Sequence, residues 1–221
     1  YSLPASYTYT TDGTYPIQIK TYFSGLLDGC GNEQQIDFDL EVNSPPVADF
    51  NFTYNGCLNA SAIFTDLTTT VKPTYNWWWN FGDPGSGTSN IANTKNTTHT
   101  FSAPGTYNIR FANITTPGCL SDTVSKVITV APLPTASISG NNIVCINSPA
   151  PNITFTGALG SVPNYIFSYN INGGATQTIN STTNTVNLPV STTNSGTFIY
   201  NLLNVQNANC VQAQTGSATV T

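Results

Sequence analysis

A repeated segment is the feature that most limits what this 221-residue chain can fold into. The stretch DGTYPIQIKTY at 12–22 returns as PGTYNIRFANI at 104–114 and, more loosely, as SGTFIYNLLNV at 195–205. The leading glycines of the three copies are 92 and 91 residues apart. A cysteine-containing turn and a closing alternating segment follow each copy. Recurrence at this spacing is typical of an array of similar domains, each about 90 residues long.

Proline-rich joints mark the domain boundaries. They lie at 43–48 (NSPPVA) and at 131–136 (APLPTA), one after each of the first two copies. We therefore divide the chain into the C-terminal half of one repeat (1–43), a complete repeat (44–131) and a second complete repeat (132–221). We expect the chain to be a segment of a longer array.

The fold class follows from the pattern within each repeat. Apolar and polar residues alternate over short runs separated by Gly, Pro and Asn turns, and no segment has a helical period. About seven such strands in 90 residues predict an all-β, immunoglobulin-like sandwich. Tandem copies would form a rod. The GTY stretch resembles the entry to strand F, where a tyrosine hydrogen-bonds back across a corner; Phe198 replaces it in the last repeat.

Charge limits the classes of partner. Only 7% of residues are charged, with five basic against ten acidic side chains. This balance disfavours nucleic acid and anionic membrane surfaces. No run of eighteen apolar residues exists, so we expect no membrane insertion. Abundant Thr, Asn and Gly in place of charge is typical of extracellular β-proteins.

All three tryptophans stand together in YNWWWNFGD, residues 75–83. Side chains alternate faces along a strand. Tyr75, Trp77, Trp79 and Phe81 are therefore predicted to share the core face, whereas Trp78 points outward. Trp78 is a candidate contact residue for sugars or proteins, because exposed aromatic rings stack on such ligands.

The motif at the end of this aromatic stretch resembles the polycystic kidney disease (PKD) domain signature. The resemblance runs through Trp79-x-Phe81-Gly82-Asp83 and Pro104-Gly105-Thr106-Tyr107, and it is strongest in the middle repeat. The predicted signature residues of that domain are Trp77, Trp79, Phe81, Gly82, Asp83, Gly105 and Tyr107. The last repeat lacks the motif and is similar instead to the immunoglobulin-like repeats of flavobacterial gliding-motility adhesins.

The resemblance implies a function. It implies a stalk segment of a large secreted adhesin or filament on a bacterial (Bacteroidetes) cell surface, used in attachment or gliding and exported by the type IX secretion machinery. Its partners would be neighbouring repeats of the same chain and surface glycans or the substratum. Asp122-Thr123-Val124 resembles the O-glycosylation signal of that group, which makes Thr123 a glycosylation candidate. Two other classes stay open: an accessory module that carries a secreted enzyme to polysaccharide or collagen, and a laterally pairing surface-layer subunit.

Catalysis is not expected. The single histidine, His99, stands where the first repeat has Tyr7, which cannot act as a base at neutral pH. No cofactor is expected, but some PKD domains bind calcium at the joint between repeats. The residues here in comparable places, and so the calcium candidates, are Asn43, Ser44, Asp66 and Asp83.

The five cysteines allow two disulfide schemes. If equivalent cysteines pair in the same way inside each repeat, the bonds are Cys57–Cys119 and Cys145–Cys210. However, the A–B and F–G turns lie at opposite ends of such a sandwich, about 25 Å apart for strands of seven or eight residues, whereas a disulfide needs Cα atoms within about 7 Å. In a head-to-tail array the A–B turn of one repeat faces the F–G turn of the next. We therefore favour Cys57–Cys210 across repeats, with Cys30, Cys119 and Cys145 either bonded to parts of the array outside the segment or cut off from their partners.

Overall fold

The computed structural model describes residues 6–22, 33–70, 72–116, 118–160 and 164–221, and these are almost entirely β-strand and turn. The predicted all-β fold is confirmed. The first unit is an antiparallel hairpin of β1 (Gly13–Tyr22) and β2 (Glu33–Val42), paired from Gly13 with Val42 to Tyr22 with Glu33. Cys30 lies outside the described residues.

The middle unit is a two-sheet sandwich. One sheet has the order β3-β4-β7 and the other the order β6-β5-β8-β9. A short 3₁₀ segment, Pro84–Asn90, connects β5 and β6. The strands are β3 (Phe50–Thr53), β4 (Ser61–Asp66), β5 (Thr74–Asn80), β6 (Ile91–Ala92), β7 (Thr97–Thr100), β8 (Gly105–Thr115) and β9 (Val124–Val130).

The last unit repeats this topology. One sheet has the order β10-β11-β14 and the other the order β13-β12-β15-β16. Its final strand is interrupted, so that β16 and β17 pair with successive parts of β15. The strands are β10 (Thr135–Ser139), β11 (Asn152–Ala158), β12 (Tyr165–Ile171), β13 (Gln177–Ser181), β14 (Thr185–Pro189), β15 (Phe198–Asn207), β16 (Cys210–Ala213) and β17 (Ser217–Val220).

An aromatic core holds the two sheets of the middle sandwich together. Trp79 is fully buried, and its ring centroid lies 5.3 Å from Phe50 and 4.0 Å from Phe111. Phe64 packs against Trp79 from the facing sheet at 5.7 Å. Such rings bury a large apolar area and add edge-to-face attraction. The last sandwich has a separate core around Phe155, Phe167 and Tyr200.

The strand F corner forms as predicted. The Tyr107 hydroxyl donates to the Ala103 carbonyl at 2.7 Å, and Tyr15 makes the same bond to Thr11 at 2.9 Å. Gly105 begins β8, and Tyr107 is half-buried behind Phe101. The corner therefore fixes where β8, the longest strand of the middle sandwich, enters its sheet.

The FGD turn is held by close backbone packing. Gly82 has φ +67°, and a Cβ at this position would lie 2.8 Å from the Asn108 carbonyl oxygen. Only glycine combines this backbone angle with this approach at low cost. The turn can therefore lie directly against β8.

Tyr75 departs from the predicted core face. It is 57% exposed, although Trp79 and Phe81 are buried and Trp77 is half-buried against the core. The pairing of β5 with β8 shifts register between Thr74 and Asn76. This irregularity breaks the two-residue alternation that placed Tyr75 with Trp77, so the prediction was wrong for Tyr75.

Candidate functional site

The joint between the two sandwiches contains a disulfide between Cys57 and Cys210. Their Cα atoms lie 5.5 Å apart, and 153 residues separate them in sequence. Cys57 belongs to the A–B turn of the middle sandwich, and Cys210 begins β16 directly after the F–G turn of the last sandwich. Both cysteines are buried. The structure thus brings together the cross-repeat pair and not the two within-repeat pairs.

Local hydrogen bonds fix the turn that presents Cys57. The amide of Leu58 donates to the Ala131 carbonyl, and the amide of Ala131 donates to the Gly56 carbonyl. The Tyr54 hydroxyl donates to the carbonyl of Cys57 at 2.6 Å. The A–B turn is therefore bonded to the end of the closing strand, just where the chain leaves for the last sandwich.

The facing turn is short and tight. Asn207 pairs with Cys210 across a two-residue turn, in which Ala208 has φ +49°. The Asn207 side chain donates to the Asn164 carbonyl at 2.7 Å and anchors the turn to its own sandwich. The cleft around the disulfide is lined on one side by Asn55, residues 57–60 and Leu133, and on the other by residues 209–212.

Cys119 and Cys145 are free thiols within the described part of the chain. Cys119 lies in the F–G turn of the middle sandwich, with its sulfur 3.7 Å from the Asn43 carbonyl oxygen at the first joint. Cys145 is exposed in the A–B turn of the last sandwich. Neither cysteine forms the within-repeat disulfide that was the alternative scheme.

Polar contacts cross the first joint. The ammonium group of Lys72, in the middle sandwich, contacts the Glu41 carboxylate on β2, which lowers the Glu41 pKa through a hydrogen bond and charge attraction. The Ser44 hydroxyl donates to Asp12 at 2.5 Å. These pairs are exposed, so each stabilises only weakly. No sequence signal marked Lys72, because its partner depends on how the two units meet.

Asp83 is buried beneath the FGD turn and forms a compact polar cluster. One carboxylate oxygen lies 3.0 Å from His99 Nε2 and accepts from the Ser102 amide at 2.9 Å, and the other accepts from the Ser102 hydroxyl. Burial alone raises the pKa of Asp83, but the hydrogen bonds from Ser102 and His99 outweigh it and hold the pKa below the ordinary value. Sequence reasoning identified Asp83 as a signature residue but missed Ser102.

The cluster has the residue types of a catalytic triad in a different arrangement. Asp83 stands between His99 and Ser102, whereas nucleophilic catalysis needs the histidine next to the hydroxyl. The His99 ring is stacked on Phe81, with ring centroids 4.3 Å apart, and is almost fully buried. The arrangement therefore ties the FGD turn to β7 and to the corner before β8.

The calcium candidates are not brought together. Asp83 is occupied as described, and Asp66 accepts from Trp77 Nε1 at 3.0 Å and from the Thr68 amide at 2.8 Å. Asn43 and Ser44 lie at the first joint. Within the residues that the structure describes, no three His, Cys, Asp or Glu side chains are grouped to hold a metal ion.

Trp78 lies on the outer face of β5 and is 43% exposed. It pairs in register with Ala112 of β8. Beside it is a small cavity of about 60 Å³ lined by Trp77, Asn113 and Leu120 among others. Asn113 is buried, and its side-chain oxygen has no hydrogen-bond partner. Trp78 therefore lies on the outer face of β5, as the two-residue alternation predicts.

Thr123, the glycosylation candidate, is exposed directly before β9. It borders a shallow surface hollow with Pro45 and Val47. Its hydroxyl is therefore accessible to a modifying enzyme. In the described ranges, no helix has the length and apolar character needed to cross a membrane.

The chain is built of consecutive immunoglobulin-like β-sandwiches that a disulfide links across their ends. Residues 43–130, the middle sandwich, match the PKD domain family model. This match spans less than half of the chain. No curated protein sequence matches the chain.

Solved structures with a similar fold include two single PKD domains. The PKD1 domain of Vibrio anguillarum Epp is 17% identical and covers 40% of this chain and 96% of its own, with a TM-score of 0.35. The PKD1 domain from the Vibrio cholerae metalloprotease PrtV is 19% identical and covers 39% and 98%, with a TM-score of 0.34.

A glucan-binding structure is similar over more of the chain. The Bacteroides ovatus protein SGBP-B, solved with a mixed-linkage heptasaccharide, is 14% identical and covers 95% of this chain and 53% of its own, with a TM-score of 0.21. At this identity and TM-score, the likeness does not extend to function.

Proposed function

We propose that the chain is a structural stalk segment of a large secreted cell-surface adhesin or filament used in attachment or gliding. The observation that carries this proposal is the Cys57–Cys210 disulfide, which links consecutive sandwiches end to end. A covalent link at a joint suits a chain that is pulled, because it resists separation of the two domains. The disulfide also favours an oxidising, extracellular location.

The position of the disulfide determines which residues bear tension when the chain is pulled. When the chain is pulled from its two ends, tension passes from Cys57 to Cys210 through the disulfide. The residues between them, which include most of both sandwich cores, carry no load. Such a stalk lengthens little even when a domain unfolds.

Single-molecule pulling tests this proposal. With the disulfide intact, about 500 Å of contour length should stay inside the loop that the disulfide closes. This length follows because 153 residues separate the two cysteines and each extended residue adds up to about 3.4 Å. Cys57→Ser should release that length. Cys145→Ser, which removes a free thiol, is the matched control and should behave as the unaltered chain.

Release of the full contour length from the oxidised, unaltered chain would contradict the stalk proposal. The same experiment gives the force at which the joint yields in the Cys57→Ser variant. A joint that opens freely in that variant and stays closed in the control assigns the resistance to the disulfide.

We further propose that the chain has no catalytic role and needs no cofactor. His99 offers support, because its Nε2 faces Asp83 and its ring is buried under Phe81. Export by the type IX route, gliding and glycosylation of Thr123 belong to the proposal as well. They rest on the resemblance of the motifs, and mass spectrometry of the chain from its native host tests the modification of Thr123.

A second candidate function is binding of a glycan by the outer face of β5. It is favoured by the Trp78 ring, which is 43% exposed beside Ala112 on the outer face. A sugar could stack on this ring. Trp78→Ala should weaken retention on a polysaccharide column at least about tenfold if the ring is a central contact. Tyr75→Ala, on a neighbouring ring that is more exposed than Trp78, is the control, and equal loss from both changes would contradict a defined site.

A further inference from the structure

The A–B end of the last sandwich resembles the surface that the disulfide closes at the previous joint. In the middle sandwich, the Ala131 amide donates to Gly56 and the Leu58 amide donates to Ala131. In the last sandwich, the Thr221 amide donates to Asn142 and the Val144 amide donates to Thr221. The same ladder thus connects the A–B segment to the closing strand in both domains.

Each A–B segment then turns at a cysteine. The Ala60 amide donates to the Cys57 carbonyl at 3.1 Å, and the Ser148 amide donates to the Cys145 carbonyl at 3.1 Å. Cys57 is buried by the neighbouring sandwich, whereas Cys145 is exposed. The two cysteines occupy corresponding turns, one bonded and one open.

Cys145 lies among exposed aliphatic side chains, beside a cavity of mixed lining that includes Ser191, Thr192 and Ser195. Ile143 and Ile146 are 86% and 56% exposed. A cavity of about 190 Å³ adjoins the cysteine, and Val144, Phe198 and Val220 contribute to its lining. Exposed aliphatic side chains beside a thiol and a cavity are the features of an interface that lacks its partner.

The two F–G turns share one arrangement, a cysteine followed by an exposed aliphatic residue. Cys210 is followed by Val211, which is 55% exposed, and Cys119 is followed by Leu120, which is 61% exposed. Both turns therefore present a sulfur atom and an aliphatic side chain next to each other. At the formed joint, Val211 lines the cleft around the disulfide together with Leu58 and Leu133.

We infer that the A–B end of the last sandwich is a docking surface for the cysteine-bearing F–G turn of a further β-sandwich repeat, and that Cys145 forms a disulfide with that turn. The inference rests on the proposed stalk function and names its next partner. Forming the bond takes two electrons and two protons from the thiols, which a disulfide donor such as oxidised glutathione accepts to become two thiols.

One difference shapes the docking geometry. In hydrogen-bond register Ile143 takes the place of Cys57, so Cys145 lies two residues further along the same edge. Two extended residues span about 7 Å. The incoming turn must reach that much further, across Ile143, which explains why an aliphatic side chain is exposed there.

An extended chain tests the inference. A copy of residues 132–221 is appended directly after Thr221, which repeats the joint that follows Ala131. The copy carries Cys145→Ser, so that a single Cys145 remains, and Val211→Ile as a mass tag for its Cys210 peptide. The protein is refolded with reduced and oxidised glutathione and digested without reductant. We expect a cross-linked fragment between Cys145 and the tagged Cys210 peptide.

The rate of alkylation measures how far the Cys145 thiol is protected by this cross-link. In the extended chain Cys145 should react with iodoacetamide about tenfold less than in a control whose copy also carries Cys210→Ser, because tethering raises the effective thiol concentration to the millimolar range. The inference is overturned if Cys145 stays equally reactive, carries only glutathione, or links two chains through Cys145 itself.

The same digest separates this inference from the proposed function. If the Cys57–Cys210 fragment is present and the Cys145 cross-link is absent, the docking surface is wrong and the stapled stalk stands. If the Cys57–Cys210 fragment is absent as well, the proposed function fails with it.

Discussion

Asp83 stands two residues after Phe81, the last core residue of the motif. It lies under the turn that Gly82 makes. Its carboxylate contacts His99, two strands later, and Ser102, at the corner before β8. Two segments, separated by 16 residues between Asp83 and His99, therefore meet at one charge. A buried ion is costly to leave unpaired, so these contacts must be kept together or lost together.

Acid should weaken the middle sandwich through this residue. The pKa of Asp83 is held below its ordinary value of 3.8, so the unfolded chain binds its proton at higher pH than the folded chain does. The stabilisation is present above pH 4 and is lost as pH falls through the folded pKa. Urea unfolding followed by tryptophan fluorescence should show it, since all three tryptophans lie in this domain.

Asp83→Asn provides the comparison. It should lower the free energy of unfolding by about 1–3 kcal/mol at pH 7 and should reduce the acid sensitivity below pH 4. Asp37→Asn, on the exposed face of β2, is the control and should leave both unchanged. An acid profile that is the same in the Asp83→Asn variant and the unaltered chain would contradict this role.

Strand β5 shows what a single element does in the fold. Its alternation puts Trp79 at the centre of the core and Trp78 outside, while Asp66 of β4 accepts the indole N–H of Trp77 at the edge. The strand pairs with β6 on one side and β8 on the other. Neighbouring tryptophans in one element thus have unrelated roles.

Truncating these tryptophans should separate core from surface. Trp79→Ala should cost about 3–5 kcal/mol of unfolding free energy, because it leaves a large cavity among Phe50, Phe64 and Phe111. Trp78→Ala should cost about 1 kcal/mol or less, the value of an outer cross-strand contact. Denaturant unfolding followed by circular dichroism measures both, and equal losses would contradict the assigned faces.

Much of this arrangement is predictable from local pattern. Two-residue alternation separates Trp79 from Trp78, and the repeated GTY stretch predicts the Tyr107 corner. Tyr75 is misplaced by the same rule, because an irregularity in pairing depends on the partner strand and leaves no mark in the sequence. Ser102 and Asn113 were not found for a related reason: their importance comes from contacts with residues distant in the chain.

At the scale of the whole molecule, the two sandwiches repeat one topology and are joined by one covalent bond. Strand length separates A–B and F–G turns within a domain, and head-to-tail order brings together those of consecutive domains. Cys57 and Cys210 are therefore predictable from the sequence as a pair. The sequence does not predict the contacts at the first joint, such as Lys72 with Glu41, since those depend on how two units tilt against each other.

The connectivity of the cysteines distinguishes a joint closed across repeats from sandwiches closed within themselves. The chain is purified under oxidising conditions with free thiols blocked by alkylation, digested without reductant and mapped by mass spectrometry. The account predicts a fragment that joins the peptides of Cys57 and Cys210, which disappears on reduction, and alkylated Cys119 and Cys145. A fragment that joins Cys57 to Cys119 would show that the sandwiches are closed within themselves and would contradict the stapled joint.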